Sequence, residues 1–227
     1  MTQPTTIAID GTAAAGKSTV AAQLSQTLGY LYLDTGVMYR AVTWAVLARN
    51  IAVTDEEAVS ELAERLAIDV TAMGPQDGRF YTVLVDGEDV TWAIRGKNVE
   101  AQVSRVSGYA RVRTTLTNQQ RHLAAKGSII MVGRDIGTVV LPQAELKIFM
   151  EASAEERARR RHKELIEQGQ AANYETILAA IQGRDKQDRE NPVSPLIPAK
   201  DAIVINTDGL SITEVLTKIY ELIDTQP

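Results

Sequence analysis

Gly11-Thr12-Ala13-Ala14-Ala15-Gly16-Lys17-Ser18-Thr19 spells G-x-x-x-x-G-K-[ST]. The apolar run Ile7-Ala8-Ile9-Asp10 leads straight into it, and Val20, Ala21, Leu24 and Leu28 follow at helical spacing until Gly29, so the motif lies between a strand and a helix as its chemistry requires. In that setting glycine lets backbone N–H groups turn inward around phosphates. The helix presents its positive end, Lys17 reaches the outer phosphates and Ser18 is placed to ligate a magnesium ion. The whole segment from Gly11 to Thr19 is therefore a candidate cradle for a nucleoside triphosphate or a similar polyphosphate.

A second set of residues narrows the chemistry. Arginine recurs at predicted loop and helix-start positions: Arg40, Arg134, the run Arg157-Ala158-Arg159-Arg160-Arg161, Arg184 and Arg189. Phosphoryl transfer between two nucleotides calls for such a set, because donor and acceptor phosphates repel each other and must be neutralised while held in line. Bidentate guanidinium groups suit this better than ammonium. The run at 157–161 also has a plainer reading, a solvated helix face pairing with Glu155, Glu156 and Glu164, and Arg159 is the member read as merely exposed. His122 and His162 fall in predicted helices and are read as surface or packing residues. The segment after the last predicted strand, Asn206-Thr207-Asp208-Gly209, is not the N-K-x-D of a GTPase. Ile129-Ile130-Met131-Val132 ends in valine rather than the aspartate of a remodelling ATPase.

The elements that must position these residues follow from periodicity. Short apolar runs at 6–10, 30–33, 128–132, 147–150 and 202–205 alternate with helical segments, the pattern of a parallel α/β sheet. Ser211 with Glu214, Ser153 with Glu156, and Thr54 with Glu57 each pair a capping hydroxyl with a carboxylate three residues on. Residues 68–72 and 80–85 read as strands of a small inserted sheet, with turns at Gly74-Pro75-Gln76-Asp77-Gly78 and Asp86-Gly87-Glu88. A long helical stretch from 98 to 126 is predicted to bend at Gly108, a helix to start at Asp34-Thr35, and a tight turn to run from Gly133 to Gly137. At 227 residues, with 44% hydrophobic and 23% charged residues, the chain is predicted to be one domain with insertions. No stretch approaches the roughly 18 apolar residues of a membrane helix. Met1 to Thr6 lacks the basic start and apolar run of a secretion signal. The absence of cysteine and the presence of only two histidines exclude thiolate chemistry and make a histidine metal site or a Ser-His-Asp triad improbable, and with no export signal a cytoplasmic location is expected. A net charge of −5 argues against nucleic acid as a partner.

Four blocks together resemble bacterial cytidylate kinases: the cradle; Tyr32-Leu33-Asp34-Thr35-Gly36-Val37-Met38-Tyr39-Arg40; Gly133-Arg134-Asp135-Ile136-Gly137-Thr138-Val139-Val140; and Gly183-Arg184-Asp185-Lys186-Gln187-Asp188. The likeness covers nearly the whole chain, including Asp86-Gly87-Glu88-Asp89-Val90-Thr91 in the insert. It implies a P-loop NTPase-type five-stranded parallel sheet flanked by helices, with a small antiparallel β insert and a helical lid. The expected division is a core at 1–36, 127–152 and 199–227, a monophosphate-binding region at about 37–126 and a lid at about 153–190. By resemblance, ATP with Mg2+ is the donor and CMP or dCMP the acceptor, in pyrimidine metabolism. Thr35 and Arg40 hold the acceptor phosphate with Arg134 nearby, Tyr39 is a further substrate-binding residue, Ser104, Arg113 and Asp135 face the base, and Arg184 and Asp188 meet the sugar. Lys17, Arg134 and the lid residues Arg157, Arg160 and Arg161 are the catalytic cations, and Ser18 is the metal ligand. A monomer with no membrane or nucleic-acid partner is expected.

Three departures from the family pattern stand out. Thr12 replaces a common proline, Val132 occupies a position where many members carry aspartate, and Asn191 stands where many have arginine, with Arg189 two residues earlier. The residues alone leave two alternatives open: a kinase for UMP or another small acceptor, and a nucleotide-binding module without turnover.

Overall fold

The apolar runs become the strands of the larger sheet and the amphipathic stretches become helices in the computed structural model, which describes residues 3–72, 77–191 and 194–225. In chain order these are β1 (Thr6–Gly11), α1 (Lys17–Leu28), β2 (Leu31–Asp34), α2 (Gly36–Ala48), α3 (Glu56–Arg65), β3 (Ile68–Ala72), β4 (Tyr81–Val85), β5 (Glu88–Asp89), α4 (Lys97–Val106) and α5 (Ala110–Ala124). They continue with β6 (Ile129–Val132), a π-helical turn at Ile136–Val140, β7 (Leu146–Glu151), α6 (Ala154–Glu167), α7 (Tyr174–Arg189), β8 (Ile203–Asn206) and α8 (Ile212–Asp224). The five parallel strands run in the order β2-β6-β1-β7-β8, and β3-β4-β5 form a separate antiparallel sheet. This is the P-loop NTPase-type sheet with a small β insert. The carboxyl end of the central strand β1 is where an open α/β sheet of this kind binds its ligand.

The chain divides into two compact units, 1–28 with 130–227, and 29–129. In the first, β1 pairs in parallel with β7 (Ile7 opposite Leu146, Gly11 opposite Met150) and β7 with β8. Ile7, Ala8, Ile9, Ile130 and Met131 are wholly buried and Ile148 nearly so, which is why these strands read as continuous apolar runs rather than alternating ones. Helix α8 carries the predicted reciprocal capping box between Ser211 and Glu214, and the Ser153 hydroxyl accepts the Glu156 amide at the start of α6.

In the second unit α2 packs on α4 and α3 on α5, with Val99, Val106, Val112 and Leu116 inside. Strands β3 and β4 pair from Ile68 opposite Val85 to Ala72 opposite Tyr81. Asp86 and Gly87 both take positive φ, 51° and 85°, the backbone that a two-residue hairpin with right-handed strand twist demands.

Three expectations need amendment. Helix α3 is capped by Asp55, whose carboxylate accepts the Ala58 amide at 3.1 Å, rather than by Thr54; a carboxylate one residue nearer the first turn is an equally good acceptor. The stretch 98–126 is two helices, broken at residues 107–109, rather than one bent helix. The segment after Gly133 is not a tight turn but a π-helical one, in which the Val139 and Val140 amides both reach the Asp135 carbonyl at 2.8 and 3.1 Å. Of the turn predicted at Gly74-Pro75-Gln76-Asp77-Gly78, residues 74–76 lie outside the described residues.

Candidate active site

The cradle is shaped by backbone conformations that side chains resist. Gly11 has φ +141°, and a Cβ there would sit 1.8 Å from the Met150 carbonyl oxygen, so the strand end lies directly on β7. Thr12 then donates its amide to that same oxygen at 3.2 Å. Ala14 (φ 63°) and Gly16 (φ 89°) carry the chain through left-handed positions into α1. Lys17 Nζ donates to the carbonyls of Gly11 and Thr12, both at 2.7 Å, so the ammonium is held across the loop it serves. Ser18 and Thr19 are exposed in the first turn of α1, where the helix N-terminus favours anions.

Behind the cradle two of the predicted lid arginines are fixed. Arg157 is 2% exposed; it grips Asp185 with two bonds of 3.0 and 2.5 Å and donates to the carbonyls of Ala152 and Ala13 at 3.0 and 3.1 Å. It thus ties α6, α7 and the cradle together. Arg160 reaches the Thr207 carbonyl at 2.5 Å and the Glu156 carboxylate at 2.8 Å. The Thr207 hydroxyl is 3.5 Å from the Ala15 carbonyl. Arg161 pairs with Glu164, and Arg159, the most exposed of the run, with Glu156. The shared Glu156 sits below its ordinary carboxylate range, chiefly through the Arg159 bond.

Arg134 pairs with Asp188, which is buried, and among the described residues Asp188 Oδ2 has no hydrogen-bond partner. Asp135 is buried and accepts the Ser194 hydroxyl at 2.5 Å. Arg184, one turn before Asp188, is exposed. Asn191 accepts the Ser194 amide at 3.0 Å. Val132 is buried and apolar and contributes no carboxylate.

Within residues 29–129, Thr35 is buried at the start of α2, and the capping acceptor there is Asp34, which takes the Gly36 amide at 3.0 Å. Arg40 pairs with Glu100 of α4. The Arg113 guanidinium lies 5.7 Å from the Tyr39 ring centre and donates to the Ser107 carbonyl at 3.4 Å. That stacking pre-orients a cation at modest cost. Ser104 is exposed on α4, and its carbonyl accepts the Ser107 hydroxyl at 3.0 Å.

Sequence reasoning passed over the partners. Asp10, Asp185, Thr207, Ser194 and Glu100 were not singled out, yet each holds a predicted residue or its loop. For Asp10 the signal was present: a carboxylate closing a fully apolar strand must find donors. Its two oxygens accept the Ile136 and Gly137 amides at 2.8 and 2.7 Å.

Comparison with known proteins agrees with this geometry. The family model described as Cytidylate kinase matches residues 7–225. The chain is 53% identical over 214 residues to the cytidylate kinase of Chloroflexus aggregans, covering 94% of this chain and 91% of that one. It is 48% identical over 224 residues to that of Bacillus subtilis, covering 99% and 98%. Among solved structures, an uncharacterized protein from Eubacterium ventriosum superposes with a TM-score of 0.52 at 13% identity, over 96% of this chain and 98% of that one, and shares the fold alone. A match of this extent, on a chain that carries the phosphate cradle and the arginine set, means that the protein belongs to the cytidylate kinase family.

Proposed function

We propose that this protein transfers the γ-phosphoryl group of ATP to CMP and dCMP, giving the diphosphates, as one cytoplasmic, monomeric kinase domain of pyrimidine metabolism. The observation that carries the reading is the family match across residues 7–225 on a chain with an intact cradle. The cradle fits a triphosphate: Gly11, Ala14 and Gly16 carry the loop through positive φ into α1, and Lys17 already spans it. The donor set also fits magnesium held mainly by phosphates and water, since Ser18 is exposed at the helix start and Val132 offers no ligand. When bound, ATP with its magnesium supplies the transferring group and neutralises part of its charge.

The chain's own residues do the rest. Lys17 and Arg134 stabilise charge that spreads over the transferring oxygens. Arg40 and Thr35 bind the acceptor phosphate, and Tyr39 supports them by carrying Arg113. Cytosine offers a donor at N4 and acceptors at N3 and O2, which a carboxylate from Asp135 and a guanidinium from Arg113 complement, whereas uracil reverses part of that pattern. Ser104 completes the base-facing group. The unpartnered Asp188 Oδ2 is a ready acceptor for a sugar hydroxyl, with Arg184 one turn away. Arg160 and Arg161 belong to the helical lid that excludes water, while the buried Arg157 braces that lid against the cradle.

A coupled assay for ADP with CMP, dCMP, UMP, dTMP, AMP and shikimate tests this. Turnover with CMP and dCMP is expected, and activity confined to a non-pyrimidine acceptor rejects the reading.

A further inference from the structure

The carboxylate of Asp10 is 5% exposed and reaches across 126 positions of sequence to two successive backbone amides, Ile136 at 2.8 Å and Gly137 at 2.7 Å. Those amides open the π-helical turn that follows directly on Arg134 and Asp135. The fit is close: a Cβ at Gly137 would meet Asp10 Oδ2 at 3.4 Å and the Lys147 side chain at 3.2 Å. On the other side, the residue after Asp10 is the first glycine of the cradle. One carboxylate therefore fastens the cradle strand to the segment bearing the Arg134 guanidinium.

We propose that Asp10 is a positioning residue for phosphoryl transfer, which by gripping the Ile136 and Gly137 amides in its ionised form holds Arg134 and Asp135 in register with the cradle. The proposal rests on the kinase reading above. Two charged groups act on Asp10, Asp135 from the turn and Lys17 from the cradle; Lys147 of β7 packs beside Gly137, its ammonium engaged by the Pro142 carbonyl and Asp201 at 2.6 Å each. Burial, aided by Asp135, outweighs the two amides and Lys17 and pushes the carboxyl up to about 6. The grip therefore loosens just below neutral pH.

Two measurements test this. In 1H–15N spectra of the wild-type protein from pH 5 to 8, the Ile136 and Gly137 amide protons should shift together with one midpoint near 6. In turnover, Asp10→Asn should lower kcat about tenfold to a hundredfold, the scale of a misplaced catalytic group, with KM for CMP and ATP within about threefold. CMP's own phosphate ionises near pH 6, so two groups shape the acid limb of the wild-type kcat/KM and one shapes that of the variant. Wild-type kcat in a folded Asp10→Asn protein, or amide shifts that do not titrate, overturns the proposal. If Asp10→Asn fails to fold, the wild-type amide titration decides alone. A wild-type protein with no CMP turnover at any pH overturns the acceptor reading instead, and the amide midpoint still decides whether Asp10 grips the turn.

Discussion

Arg157, in the unit that carries the cradle, is 2% exposed and locked bidentately to Asp185, whereas Arg40, in residues 29–129, pairs with Glu100 whose side chain is 60% exposed. Both are guanidinium–carboxylate pairs with short bonds, yet their energetics differ in kind. The buried pair has no water to fall back on, so either partner left alone is a stranded charge. The exposed pair is screened by solvent and contributes little to stability. The cradle is thus pinned by bonds within its own unit, from Lys17 on the Gly11 and Thr12 carbonyls to Arg157 on Ala13. Arg40, proposed to bind the acceptor phosphate, is held instead by an exposed contact that a phosphate can replace.

The strongest way to break this contrast is to remove one half of each pair. Arg157→Ala should cost about 3–5 kcal/mol, a fall of roughly 10 °C in melting temperature for a chain of this size. Arg40→Ala should cost less than about 1 kcal/mol, and equal losses in the two variants by calorimetry would erase the distinction. Adding Asp185→Leu to Arg157→Met should restore most of the lost stability, because the stranded carboxylate disappears with its partner. Next in size is Lys17→Ala, expected to lower turnover about 10²–10³-fold, on the scale of a lost charge-stabilising donor, with the fold intact. Steady-state kinetics at saturating CMP checks it, and near-normal turnover would contradict the role given to the cradle.

A smaller effect concerns Asp10, a buried carboxylate of the cradle's unit. Its folded-state value of about 6 lies above the ordinary 3.8, so its contribution to stability is fully present below about pH 4 and is lost as pH rises through 6. The loss is on the order of 2–3 kcal/mol by linkage. Asp10→Asn carries no such term. Melting curves between pH 4 and 7 should show the variant gaining on the wild type as pH rises, and a constant difference would remove the burial cost assigned to this group.

The elements were legible because their signals are local. Residues 68–72 read as a strand and form β3, and Ser211 with Glu214 read as a capping box and form one, since period and capping depend on neighbours only a few positions away. The cradle was legible for the same reason. What the sequence hid is long-range pairing. Nothing in the spacing of Arg157 says that Asp185, 28 residues on, will bury it. A charge run on a helix looks identical whether its face meets water or another helix. Asp10 lies 126 residues from the first amide that it holds, and backbone amides leave no trace in side-chain patterns. The cap of α3 was missed more narrowly, by one residue, since Thr54 and Asp55 are both good caps and only the φ and ψ of the folded chain choose between them.

The finest probe of the comparison is Glu100. On α4 its carboxylate occupies the guanidinium of Arg40, the group read as binding the acceptor phosphate, so pairing and acceptor binding compete for one cation. Replacing the exposed pair should leave stability within about 1 kcal/mol of wild type. It should also release Arg40 from a partner that the phosphate must displace. Glu100→Gln is therefore expected to lower KM for CMP by about twofold to fivefold, the kinetic equivalent of a surface ion pair, with kcat unchanged. Raising the salt concentration should shrink the difference, because the competing pair in the wild type is screened as well. An increase in KM would mean instead that Glu100 orients Arg40 toward the acceptor, and the acceptor side would then share the pre-built character of the cradle.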